Sequence, residues 1–189
     1  VFGLPGQNIG PSTTIIVIAY TVTLMLTLDL SRYLLHRAMH SFPLLWSFHK
    51  LHHSAKTMTP LTLFRTHPVE AFLQYLRDIL VTGFISGLFY YLSNQTLDVL
   101  TILGINAGRF LFNIAGSNLR HSHIWLSFGR FEHIFISPAQ HQIHHSKLKQ
   151  HHNLNFGSQF AIWDKAFNTL YLTNKRERIE FGLTKTPSK

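Results

Sequence analysis

The chain has 189 residues, a length that suits one domain; hydrophobic residues make up 46% and charged residues 13%, a low charge content for a soluble globular protein. It contains no Cys, which excludes disulfides, thiolate-ligated haem, iron–sulfur clusters and Cys-based zinc sites. The net charge of +9 admits nucleic acid or an anionic membrane surface as a partner. The first residue is Val1, with no initiator Met and no basic signal-peptide segment, so residues 1–189 read as one domain whose upstream segment is missing.

The stretch TTIIVIAYTVTLMLTL (13–28) is apolar and uncharged, and close to the ~20 residues that span a bilayer core. Its helical pattern runs on past Asp29 and Arg32 towards His40, and Pro43 ends it. A second helix is predicted to start at THPVE, with Thr66 or His67 at the cap, Pro68 at the first helical position and Glu70 placed for a capping box. It continues through AFLQYLRDILVTGFISGLFYYL (71–92), and SNQT (93–96) forms a short turn. LDVLTILGINAGRFLFNIAG (97–116) returns as a third helix. Arg77, Asp78 and Arg109 interrupt these two apolar stretches. Either the charges pair inside a projecting bundle, or the hairpin enters only part of the bilayer. Gly83/Gly87 and Gly104/Gly108 form GxxxG pairs, read as close packing within the chain, with a homodimer interface as the alternative. Residues 117–189 are polar and His-rich; SPAQ (137–140) reads as a helix start, and NFG (155–157) and FGL (181–183) as turns.

Lys and Arg are absent from residues 1–31 and from the 93–96 turn, and concentrated in 32–65 and 118–189. The positive-inside rule places both His-rich stretches on the cytosolic side. Most of the positive charge then belongs to a lipid-facing surface, and no nucleic-acid partner is expected.

Histidine is the outlier, with fourteen copies against eight acidic residues. HKLHHS (49–54) and HQIHHS (141–146) repeat one pattern, and HRAMH supplies His36 and His40. At this His frequency about 0.07 HxxHH triplets are expected by chance, so two argue for ligation. On a helix, positions i, i+3 and i+4 share a face, so His49, His52 and His53 converge, as do His141, His144 and His145. No Glu follows His49, so the zinc-protease HExxH is absent. Eight imidazoles exceed what one tetrahedral zinc uses. The Glu-rich ligand set of soluble di-iron bundles is not available. An all-His dinuclear centre at a membrane surface remains.

The segments LDLSRYLLHRAMHSFPLLWSFHKLHHSAKTMTPLTLFRTHPVE (28–70), NLRHSHIWLSFG (118–129), SPAQHQIHHS (137–146) and NFGSQFAIWDKAFNTLY (155–171) resemble the fatty acid hydroxylase/sterol desaturase superfamily. The resemblance covers about residues 25–172. It implies an all-α fold: membrane-embedded helices below a cytosolic His-rich helical cap that holds a dinuclear metal site. It implies an oxygen-dependent, non-haem di-iron oxidoreductase that hydroxylates or desaturates a membrane lipid of the sterol or fatty acyl class. The implied cofactors are two iron ions, with zinc as a substitute and dioxygen as co-substrate. The implied location is the bacterial inner membrane, or the endoplasmic reticulum in a eukaryote. The ligands carried over are His36, His40, His49, His52, His53, His141, His144 and His145. The third His pair departs from the HxxxH of some members: here it is HSH, His121 and His123. Two residues apart on a helix means nearly opposite faces, so both ligate only if the backbone turns locally.

Around these ligands, Asn118 and Asp29 are candidates for orienting a ring, and His151 for an outer contact. His67 reads as a helix cap, His133 and His152 as solvated or structural, and Trp163 and Asp164 as structural. Phe42, Leu44, Leu45, Trp46, Phe72, Tyr75, Leu76 and Phe110 are candidates for a substrate path. No GxGxxG or CxxCH motif is present, so a separate electron-donor protein is expected on the basic face. The alternative reading is a membrane metal-binding protein without catalysis.

Overall fold

The computed structural model describes residues 11–94, 97–173 and 175–183. Among them there is no β-strand, only two isolated bridges, Phe135 with Phe160 and Ser146 with Phe181. The fold is all-α. Helix α1 (Pro11–Ser41) has 31 residues. At 1.5 Å per residue it is about 46 Å long, which exceeds a hydrocarbon core of about 30 Å. Its final turns therefore project from the membrane and carry His36 and His40. The break comes at Phe42, extended (φ −102, ψ 122) because Pro43 follows it, and α2 (Pro43–His53) starts with that proline in its first turn.

A 3-10 turn (Pro60–Phe64), capped by Thr59, leads to α3 (Pro68–Leu92). His67 is the N-cap of α3; its Nδ1 accepts the Val69 N–H at 3.1 Å. Of the turn read at 93–96, Gln95 and Thr96 lie outside the described residues. Helix α4 (Val99–Arg120) starts on Asp98, whose carboxylate accepts the Thr101 N–H at 2.7 Å. It runs four residues beyond the predicted end, because Gly116 does not stop a helix whose next turn is still paired. Helices α1, α3 and α4 are each long and apolar enough to cross a membrane. With the relatives described below, they mark an integral membrane protein.

The inner face of this bundle joins Tyr20, Leu24 and Leu28 of α1 to Ile85 of α3 and to Leu97. Lipid tails are as apolar as Leu, so burial alone gains little here. Packing and the Tyr20–Ser86 hydrogen bond (2.8 Å), worth about 0.6 kcal/mol, hold the helices. The glycine pairs do not serve this contact. A Cβ at Gly83, Gly87, Gly104 or Gly108 would meet nothing within 4 Å. Helix α3 uses Val81, Ile85 and Phe89 towards α1, which turns Gly83 and Gly87 outward. Arg77, Asp78 and Arg109 pair inside the bundle. Arg77 donates to the Leu28 carbonyl (3.1 Å), to Ser31 (2.9 Å) and to Asp78 (2.9 Å), and Arg109 lies 3.9 Å from Asp78.

The cap follows α4. It comprises α5 (Pro138–His144), α6 (Ile162–Ala166) and two 3-10 turns, Gly129–His133 and Lys149–His151. Ser137 and Gln140 form the capping box that starts α5. Two buried carboxylates fasten the cap. Asp29 of α1 accepts the Gln159 and Phe160 N–H groups (3.0 and 3.1 Å) and Trp163 Nε1 (3.0 Å). Asp164 accepts the Phe156 and Gly157 N–H groups (2.8 and 2.7 Å) and the Thr169 hydroxyl (2.6 Å). Charge-assisted bonds of this kind contribute about 1.5–3 kcal/mol each. Gly157 is required there: a Cβ would lie 2.5 Å from the Phe160 carbonyl oxygen.

Candidate metal centre

Nine histidines from α1, α2, the end of α4 and α5 gather in two groups. His36, His40, His49, His53 and His144 form one; His52, His121, His141 and His145 form the other, and within each group the donor atoms lie within 4.8 Å of one another. The two HxxHH segments serve both groups, reciprocally. On α2 the i and i+4 residues, His49 and His53, enter the five-membered group and the i+3 residue, His52, enters the four-membered one. On α5 the assignment is reversed: His141 and His145 enter the four-membered group and His144 the five-membered one. Stacking of His53 on His145, with centroids 4.4 Å apart, joins the groups.

Four rings are held in a single tautomer by acceptors that cannot donate. His36 Nδ1 donates to the Phe156 carbonyl (2.8 Å), His144 Nδ1 to the Leu154 carbonyl (2.8 Å), His121 Nδ1 to the Ser117 carbonyl (2.9 Å), and His49 Nδ1 to Glu70 Oε1 (2.8 Å). Their Nε2 atoms are therefore lone pairs. His121 Nε2 lies 3.0 Å from His141 Nε2 and 3.3 Å from His52 Nε2, and His49 Nε2 lies 3.2 Å from His53 Nε2. Ligands at Zn–N lengths of about 2.0–2.1 Å, set at right-angled to tetrahedral angles, stand about 2.8–3.4 Å apart. Nε2 of His40, His144 and His145 is buried with no partner. Converging, unpartnered imidazole nitrogens of this kind fit a pair of divalent metal ions.

The outer contacts come from two places. Leu154 and Phe156 present their carbonyls to His144 and His36 from either side of Asn155, which is buried and left-handed (φ 54). Its side chain donates to the Gln140 and Tyr171 carbonyls, so α5 and the 154–156 turn move together. Glu70 is the second place. It does not complete a capping box; it sits on the first turn of α3, where His49 can reach it. Both are buried, and Glu70 Oε2 has no partner. A carboxylate on the far nitrogen of a ligand ring raises its basicity and fixes its plane.

Burial is the largest influence on these imidazoles. It holds His52, His53, His141 and His145 well below the usual histidine value, with neighbouring rings adding to the shift. It lowers His121 to about 4 and His144 to about 3. The rings are thus neutral at pH 7, the form that ligates metal.

His123 is not brought to either group. His121 ends α4 as its C-cap and turns inward on the Ser117 carbonyl, and the chain then swings His123 out to solvent. Asp29 orients no ring; its oxygens are taken by the cap backbone and Trp163. The Ser117 carbonyl fills the place considered for Asn118. His151 is buried away from the centre on Glu177 (3.0 Å), and His133 and His152 are exposed. Among the substrate-path candidates, Trp46 packs on His40 and His53, with centroids 5.1 and 5.5 Å apart. Leu45 is half-buried, and Phe42, Leu44, Phe72, Tyr75, Leu76 and Phe110 are exposed. Glu70 and the 154–156 carbonyls were missed as ring partners; THPVE and NFG were the signals, read only as a cap and a turn.

The chain is similar in sequence to several known proteins. The chain is 28% identical to the ornithine lipid hydroxylase OlsE of Rhizobium tropici over 167 residues, 88% of this chain and 46% of that protein. It is 26% identical to the alkylglycerol monooxygenases of Homo sapiens and Danio rerio over 159 residues, 84% of this chain and 32% of each of those proteins. The chain thus spans half or less of the length of these relatives. No solved structure matches it. The family model for fatty acid hydroxylase matches residues 21–169, most of the chain, and the protein belongs to the fatty acid hydroxylase family.

Proposed function

We propose that residues 1–189 act as one membrane domain of a dioxygen-dependent lipid hydroxylase whose metal centre is a pair of irons. The proposed ligands are His36, His40, His49, His53 and His144 for one ion, and His52, His121, His141 and His145 for the other. The observation that carries this reading is the reciprocal sharing of two HxxHH segments between two groups of inward-facing imidazoles. A nitrogen-only donor set suits first-row divalent metals, and zinc is the expected substitute in an expression host. Relatives named for hydroxylation and monooxygenation of polar lipids favour hydroxylation over desaturation.

Bound iron supplies the activation of dioxygen that a C–H bond of a lipid requires. The chain's own residues do the rest. The Nδ1 anchors fix ring planes before metal arrives, so little reorganisation accompanies loading. Burial keeps the rings neutral and excludes water. Trp46 forms an apolar wall beside the five-membered group. Insertion of one oxygen atom of dioxygen into the C–H bond, with the other released as water, would consume two electrons from a separate donor protein and two protons from solvent. The clustering of Lys and Arg supports a cytosolic position for the cap and a basic face for that donor.

The test is lipid oxidation under isotopically labelled dioxygen, in membranes supplied with an electron donor. Label should enter a membrane lipid. His52→Ala and His144→Ala should each abolish incorporation, and the double variant should be no worse, because residues acting as a unit are non-additive. Turnover persisting in both single variants at normal metal content would overturn the shared centre. Full metal loading without any lipid oxidation would favour the non-catalytic metal-binding reading.

A further inference from the structure

The segment after α2 builds a second polar site beside the metal centre, whose His52 faces the backbone of Thr62. Residues 55–65 line an open cavity of about 270 Å³ with Lys56, Arg65, Thr57, Thr59, Thr62, Ala55 and Leu61, and no acidic side chain lies on it. Arg65 is held in place: its Nη2 donates to the Ser54 hydroxyl at 2.6 Å, and Ser54 in turn donates to the Leu51 carbonyl at 2.7 Å. That arrangement leaves the remaining guanidinium N–H groups available. Lys56, three residues beyond His53, has no hydrogen-bond or ion-pair partner among the described residues. Thr59 and Thr62 cap one another across the 3-10 turn, which stiffens the wall.

The site has exposed apolar neighbours. Leu61 and Phe64, on the same turn, are 74% and 75% exposed. The turn that carries them packs against α4. Two exposed apolar side chains and two cations on one short segment suit a seat in the membrane interface, where basic groups meet lipid phosphates.

We propose that this cavity binds the phosphate of a membrane phospholipid and stations that lipid at the rim of the histidine cap. The site is built without the metal, so its test does not depend on hydroxylation. The full chain is purified from nanodiscs holding phosphatidic acid and diacylglycerol with identical acyl chains, and retained lipid is counted by native mass spectrometry. Wild-type protein should retain phosphatidic acid in preference to diacylglycerol. Lys56→Gln with Arg65→Gln should lower that retention about 30-fold, the effect of two basic contacts at a lipid surface. Lys56→Gln alone, which leaves the Arg65–Ser54 bond intact, should show part of the loss. Lys149→Gln with Arg178→Gln removes equal charge from exposed positions elsewhere and should change little. Equal loss in both double variants, at unchanged helicity and metal content, would reduce the effect to diffuse surface charge and overturn the proposal. Saturable uptake of inorganic phosphate that displaces the lipid completely would identify a free-anion site instead and overturn it as well.

Discussion

The two histidine groups differ in what holds their rings. In the five-membered group, His36, His49 and His144 are tied through Nδ1 to two carbonyls and a carboxylate. In the four-membered group His121 has such a tie; Nδ1 of His141 is buried without a partner, and His52 faces the Thr62 backbone without a bond of hydrogen-bond length. Three of the five rings are therefore set by the protein, and the four-membered group would depend more on a bound metal for its order. An anchored ring has lost its rotational freedom during folding; an unanchored one loses it when metal binds.

Glu70 breaks this comparison most directly, because it touches the five-membered group alone. Glu70→Ala should weaken metal at that group by about 10–100-fold and leave the other group loaded. Chelator titration followed by metal analysis should show stoichiometry falling from two per chain towards one. Equal weakening of both ions would mean that the groups act as one unit and not as an anchored and an unanchored half.

Acid should expose the same rings in metal-free protein. His121 and His144 are lowered to about 4 and about 3 by burial, against about 6.5 in an unfolded chain. Between those values the unfolded chain takes up protons that the folded one refuses, so stability falls as pH drops below about 6.5 and is unaffected above it. Asp164 acts in the opposite sense. Burial raises it to about 6, so it costs stability as pH rises from about 4 to about 6. The six imidazoles of the two groups that share the histidine shift outnumber that single carboxyl. Thermal melts of metal-free protein should therefore fall between pH 6.5 and 4. A flat profile would mean that the rings are already solvated without metal.

The smallest effect is expected at His123. Exposed and outside both groups, it should tolerate His123→Ala with stability within about 0.5 kcal/mol of the parent and two metals still bound. Loss of an ion in that variant would place His123 in the centre and upset the division into five and four.

Much of this arrangement was legible along the chain. The two HxxHH segments, HxxxH, the prolines at 43 and 68 and the Ser137 cap all act locally, within a turn or two of helix, so their meaning survives in a one-dimensional string. The glycine pairs were legible as motifs but not in direction, because the side of α3 that meets α1 depends on which other residues pack better. Glu70 lies twenty-one residues from His49 and bonds to it only because α3 starts beside α2.

By itself, the sequence determined that three apolar helices would carry a histidine-rich cap and that each HxxHH would face inward. Helical periodicity and hydrophobicity need no distant partner to be read. The tertiary structure alone decided how those faces divide. Because α2 and α5 meet across the centre, His49 and His53 join His144, and His141 and His145 join His52. Helical spacing puts three imidazoles on one face of each segment; only the opposing segment assigns each of them to one group or the other.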